Sequence, residues 1–67
     1  MFRRIRYDRL TDQQLREQQD AWFADLDEWH DHGRRFGDGP AVRRGLKRCL
    51  RHIRRIERVA RRRGVRL

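Results

Sequence analysis

Residues 41–60 read AVRRGLKRCLRHIRRIERVA, and this stretch decides the fold. Val42, Leu46, Cys49, Ile53, Ile56 and Ala60 recur at alternating steps of four and three, a continuous apolar seam on an α-helix that Leu50 widens. Opposite the seam fall Arg44, Arg48, Arg51, Arg55, Arg58 and Arg62, flanked by Arg43, Lys47, Arg54 and Arg61. Pro40 suits the first helical turn, where a missing N–H costs nothing, with Asp38 or Gly39 as the cap before it. Gly64 ends the helix, so the pattern predicts a helix over 40–63 and a tail over 64–67. Gly45 costs about 1 kcal/mol against alanine inside a helix. Its use there points to close approach by another helix or a partner.

Upstream, glycines at 33, 37 and 39 predict a loop over 33–39. Thr11 followed by Gln14 forms a capping box, and Leu10 and Leu15 stand at the spacing of a hydrophobic staple. Asp12 suits the positive end of the helix dipole. A first helix over 12–32 follows, with Gly33 as its left-handed end. Its apolar stripe runs Leu15, Trp22, Leu26, Trp29, with Gln18 and Gln19 in the missing turn and Phe23 broadening one edge. Glu17, Asp20, Asp27 and Asp31 lie on the other side. Before it, residues 1–10 place Phe2, Ile5, Tyr7 and Leu10 among arginines; the alternation over 5–8 suits an extended arm, its apolar groups tucked onto the hairpin.

Two amphipathic helices and a short loop predict an all-α fold, a two-helix antiparallel hairpin with a short N-terminal arm. The seams face each other, so an acidic face and a basic face point away from the middle. With 67 residues the core is small, and one of this size supplies no more than about 3–5 kcal/mol. Cys49 is the only cysteine, which removes an intramolecular disulfide and suits a reducing, cytoplasmic setting. A partner surface is then the expected support. No apolar run approaches the length of a signal-peptide core or a membrane span, and no membrane partner is expected.

The charge is uneven. Residues 11–32 carry one arginine against seven carboxylates, whereas residues 33–67 carry fourteen Lys/Arg against Asp38 and Glu57. All basic residues but Lys47 are arginine, which codon usage in a GC-rich genome explains; it does not explain the concentration in one half. A helix studded with arginine follows phosphates well, because the guanidinium binds them bidentately and each contact releases a counterion. The expected partner is the phosphate backbone of RNA or DNA, met by Arg44, Lys47, Arg48, Arg51, Arg55, Arg58 and Arg62.

Catalysis has little to work with. The chain has no serine and no asparagine, Thr11 is occupied as a cap, and Cys49 sits on the apolar seam, where a thiol is an inert small hydrophobe. Asp25, Asp27, Glu28, His30, Asp31 and His32 cluster in sequence, but a helix points them in different directions. Cys49 and His52 invite zinc, yet a hairpin turning near Phe36 sets position 49 against the neighbourhood of Ala24, away from His30 and His32. No enzyme activity and no metal or other cofactor is expected.

Trp22, Phe23 and Trp29 are more aromatic surface than one seam can cover, so protein contact through them is the alternative expectation. Such a module would suit a small phage or mobile-element protein docking on host machinery or a virion component, with the arginines matching an acidic protein surface. A second copy is another candidate, giving a four-helix bundle.

Arg9-Leu10-Thr11-Asp12-Gln13-Gln14-Leu15 and Ile53-Arg54-Arg55-Ile56-Glu57-Arg58-Val59 together resemble the helix start and second-helix signature of the large-subunit ribosomal protein twenty-nine family. Arg54 stands where that family carries a small alanine, and Asp27 where it tends to carry arginine. The resemblance implies a helical hairpin that binds ribosomal RNA through its basic helix, with Arg55 as the matching signature arginine.

Overall fold

Thr11 opens the first helix as a reciprocal cap. In the computed structural model, which describes residues 5–67, Thr11 Oγ1 accepts from the Gln14 backbone N–H at 3.1 Å, and Gln14 Oε1 accepts from the Thr11 N–H at 2.9 Å. The helix that follows, α1, spans Asp12–Phe36, and the second, α2, spans Pro40–Arg63. Gly39 is the N-cap of α2 without a side-chain bond, and Pro40 takes the first turn. At its far end Gly64 is left-handed (φ 69°), with the Val65 N–H donating to the Ala60 carbonyl at 2.9 Å.

The first helix runs one turn further than the glycine spacing predicts, and the loop shrinks to residues 37–39. Gly33 is the reason. It is a buried helical residue: a Cβ there would collide with the Asp38 carboxylate and touch Val42 Cγ1 at 3.4 Å. This glycine lets the loop and α2 come close and does not end the helix. Gly37, at φ 92°, ends it, its N–H donating to the Gly33 carbonyl at 2.8 Å. The extension brings Arg34 and Arg35 into the last turn of α1, where Asp31 pairs with both and the helix dipole favours positive charge.

The helices run antiparallel, marked by Asp12 against Arg63, Trp22 against His52, Asp25 against Cys49, Trp29 against Gly45 and Gly33 against Val42. Val42, Cys49, Ile53, Ile56 and Ala60 of α2 are buried, with Leu15 from α1. The remaining α1 stripe, Trp22, Leu26 and Trp29, is half-buried. The molecule measures 39 × 29 × 15 Å, so its core is a single layer between two rods.

The N-terminal segment is not an extended arm over 5–8. Tyr7–Arg9 forms one turn of 3-10 helix, and Tyr7 is 3 % exposed. Tyr7, Leu15 and Ile56 form the centre of the core, with Ile5, Leu10, Trp22, Val59 and Leu67 packed around them. Tertiary contact overrides a two-residue period in so short a segment. Residues 1–4, the rest of the expected arm, lie outside the described residues. Arg63 fastens the segment down, donating to Asp12 Oδ1 at 3.0 Å and to the Asp8 carbonyl at 2.9 Å. Among the described residues no helix is long and apolar enough to cross a membrane.

Gly45 carries a measurable consequence. The Trp29 indole lies where its Cβ would be. Gly45→Ala forces the ring to move, an overpacking cost of about 1–3 kcal/mol, against about 1 kcal/mol returned by alanine's helix propensity. Urea denaturation should show a net loss when Gly45→Ala is made in the parent, and no loss when it is made in a Trp29→Ala background and compared with that background. A Gly45→Ala hairpin more stable than the parent would contradict this packing.

Candidate nucleic-acid interface

Seven cations line up on α2. At about 100° per residue, Arg44, Lys47, Arg48, Arg51, Arg55, Arg58 and Arg62 fall within about 100° of arc, centred opposite the buried seam. Over that stripe the rise is about 27 Å, long enough to run beside about eight phosphates of one duplex strand. All seven are exposed. Among the described residues none of them is in an ion pair; the pairs that form are Asp31 with Arg34 and Arg35, and Asp12 with Arg63. The carboxylates of α1 therefore leave the stripe uncompensated. Arg55 also sets its guanidinium carbon 5.8 Å from the Tyr7 ring centroid.

Shallow recesses border the stripe. At the end away from the loop, Arg55, Arg58 and Arg62 join Arg6 and Asp8 around a recess of about 350 Å³ that Tyr7 and Val59 also line. Along the middle, Lys47, Arg51, Arg55 and Arg58 surround Leu50 with Arg54. Toward the loop, Arg44, Lys47, Arg48 and Arg51 meet Trp29. Compared with protein-family models, curated proteins and solved structures, the chain matches none. The resemblance to the ribosomal family thus rests on residues 9–15 and 53–59 alone.

The three aromatics separate. Trp22 is taken up by the hairpin: its ring stacks on His52 at 4.1 Å and 4°, and its Nε1–H donates to the Tyr7 hydroxyl at 3.0 Å. Trp29 is half-buried over Gly45, edge-on to His32. Phe23, 42 % exposed, is the one left open, and Leu50 on α2 is also 40 % exposed. Helical position sets both on the flank away from the N-terminal segment, beside half-buried Leu26 and Leu46.

Two polar clusters inside the hairpin were not legible in the sequence. Tyr7, Trp22 and His52 form a chain in which the tyrosine hydroxyl accepts from Trp22 and lies 2.7 Å from His52 Nδ1. Since the indole can only donate, the hydroxyl proton is free for His52, whose Nδ1 then accepts as a neutral imidazole. Burial first, then Arg55, Arg48 and Arg51, push the His52 pKa below its ordinary value. Burial likewise raises that of Tyr7, opposed by the Trp22 hydrogen bond and by Arg55. The second cluster is the Cys49 thiol donating to Asp25 Oδ2 at 3.2 Å. Burial and the neighbouring carboxylate push this thiol up to about 11, so it stays protonated and a poor nucleophile. Asp25 is one position from the Ala24 that hairpin register predicted. Among the described residues no three His, Cys, Asp or Glu side chains gather to hold a metal ion.

His52 makes stability depend on pH. The folded chain binds this proton less readily than the unfolded one, so the contribution is complete above the ordinary value of 6.5 and is lost as pH falls through the depressed folded value. The melting temperature should drop between about pH 7.5 and about pH 5. His52→Gln should flatten that drop. An equal drop in the variant would place its origin elsewhere.

Proposed function

We propose that this hairpin is a small non-catalytic nucleic-acid-binding protein, acting as a structural or accessory component in the cytoplasm, with RNA as its expected ligand. The observation that supports this reading is the stripe of seven exposed cations on the face of α2 opposite the core, none of them in an ion pair among the described residues. Phosphates laid along it would replace repulsion between like charges with charge-assisted hydrogen bonds and release condensed counterions. RNA precedes DNA because the resemblance to the ribosomal family implies it. The surface contacts backbone, so little base-pair selectivity in duplexes follows. Mobility-shift titration with generic RNA and duplex DNA at low salt tests the reading; absence of binding to both would end it.

One observation favours a second reading. Phe23 and Leu50 leave apolar surface open on the flank the N-terminal segment does not cover. That surface suits an acidic protein partner or a second copy of the chain, whose α1 carboxylates would meet the α2 rim. Sedimentation at low and high salt distinguishes them: charge-matched self-association weakens with salt, and Phe23→Ala should abolish it.

A further inference from the structure

Trp29 meets the basic stripe at the loop end of the hairpin. Its indole lies across Gly45, whose missing side chain lets the ring reach α2. Beside it opens a recess of about 470 Å³ bordered by Arg44, Lys47, Arg48 and Arg51. No carboxylate lines that recess, and none of the four cations is in an ion pair among the described residues. Asp25 and Glu28 line a neighbouring recess that shares Trp29, and Asp25 there already accepts the Cys49 hydrogen bond. The other indole has no comparable setting, because Trp22 is stacked on His52 and bonded to Tyr7.

An aromatic ring flanked by guanidinium groups suits one kind of ligand group well: a nucleotide whose base is not already stacked. Every base has a π-face to lay on the ring, and its phosphates bring charge to the cations beside it. A bare polyphosphate or an intact duplex would use the cations and leave the indole idle. We infer that the Trp29 recess is a stacking site for an unpaired base of single-stranded nucleic acid, with Arg44, Lys47, Arg48 and Arg51 holding the adjoining phosphates. This rests on the polyanion-binding reading and adds to it a preference for base-bearing single strands and the residue that creates it.

Trp22→Phe leaves Trp29 as the only indole and makes it a reporter. This variant is titrated at low salt with a short oligouridylate and with an abasic strand of equal length and charge. Oligouridylate should change the Trp29 emission and bind about tenfold more tightly than the abasic strand, the size of one base–aromatic stack. Trp29→Leu should erase that advantage, bringing the two strands to equal affinity, while Trp29→Phe, which keeps a ring, should retain part of it. Should the leucine variant lose its helical circular dichroism, the phenylalanine variant and the emission change decide. Equal affinity for the two strands, or Trp29 emission unmoved at saturation, overturns the inference and leaves the polyanion reading standing. Failure of both strands to bind overturns both.

Discussion

Leu15→Ala should leave most of the chain unfolded at room temperature. Leu15 is fully buried and packs with Tyr7 and Ile56 at the centre of the core. Removing a buried leucine side chain costs about 2–5 kcal/mol, because the cavity does not fully collapse. A single small core contributes about 3–5 kcal/mol in all, and here the core is one layer thick, with no disulfide behind it. The cost therefore matches the reserve. Circular dichroism should show a large loss of helical signal and no cooperative urea transition. Leu50→Ala is the control: that side chain is 40 % exposed and should shift the midpoint only slightly. Recovery of the Leu15→Ala fold on adding a polyanion would further indicate that a partner supports this domain, since any ligand specific to the folded state stabilises it by mass action.

Arg51→Glu with Arg55→Glu should abolish binding to generic RNA at moderate salt. Both arginines lie mid-stripe, and both border the central recess around Leu50. The double reversal replaces two attractive groups with two repulsive ones between the remaining cations. Each lost phosphate contact should also flatten the salt dependence by about one unit of slope. Both positions are exposed, so the helical signal should survive. Near-parental affinity in a folded double variant would mean that the stripe is not the binding face.

Most of the hairpin was legible because its signals are local or periodic. The Thr11–Gln14 box needs only four residues to specify itself, and the α2 seam from Val42 to Ala60 repeats often enough to exclude a strand. The outward aim of the arginines follows from the same period, so the basic stripe was legible with the seam. Glycine was harder to read. Gly33 sits where a helix end would place it, yet the chain uses it for close packing against Val42, and sequence spacing does not separate those two uses. Tyr7 was misread for another reason: its role is set by Trp22 and His52, distant in sequence, and the alternation around it is too brief to outweigh them. The same distance hid Arg63 with Asp12 and Cys49 with Asp25, although hairpin register came within one residue of the latter. Trp22 and Trp29 looked alike as surplus aromatics. Only the placement of His52 and Gly45 opposite them shows that one is enclosed and the other borders the cations.

The proposed function turns on whether those seven exposed cations engage phosphates. The direct measurement is the association constant for a generic duplex across a range of monovalent salt. A straight line of log K against log salt is predicted, with a slope of about −4 to −6, reflecting most of the stripe in contact at about −0.9 per phosphate. A slope near zero, or no binding at the lowest salt, would contradict it.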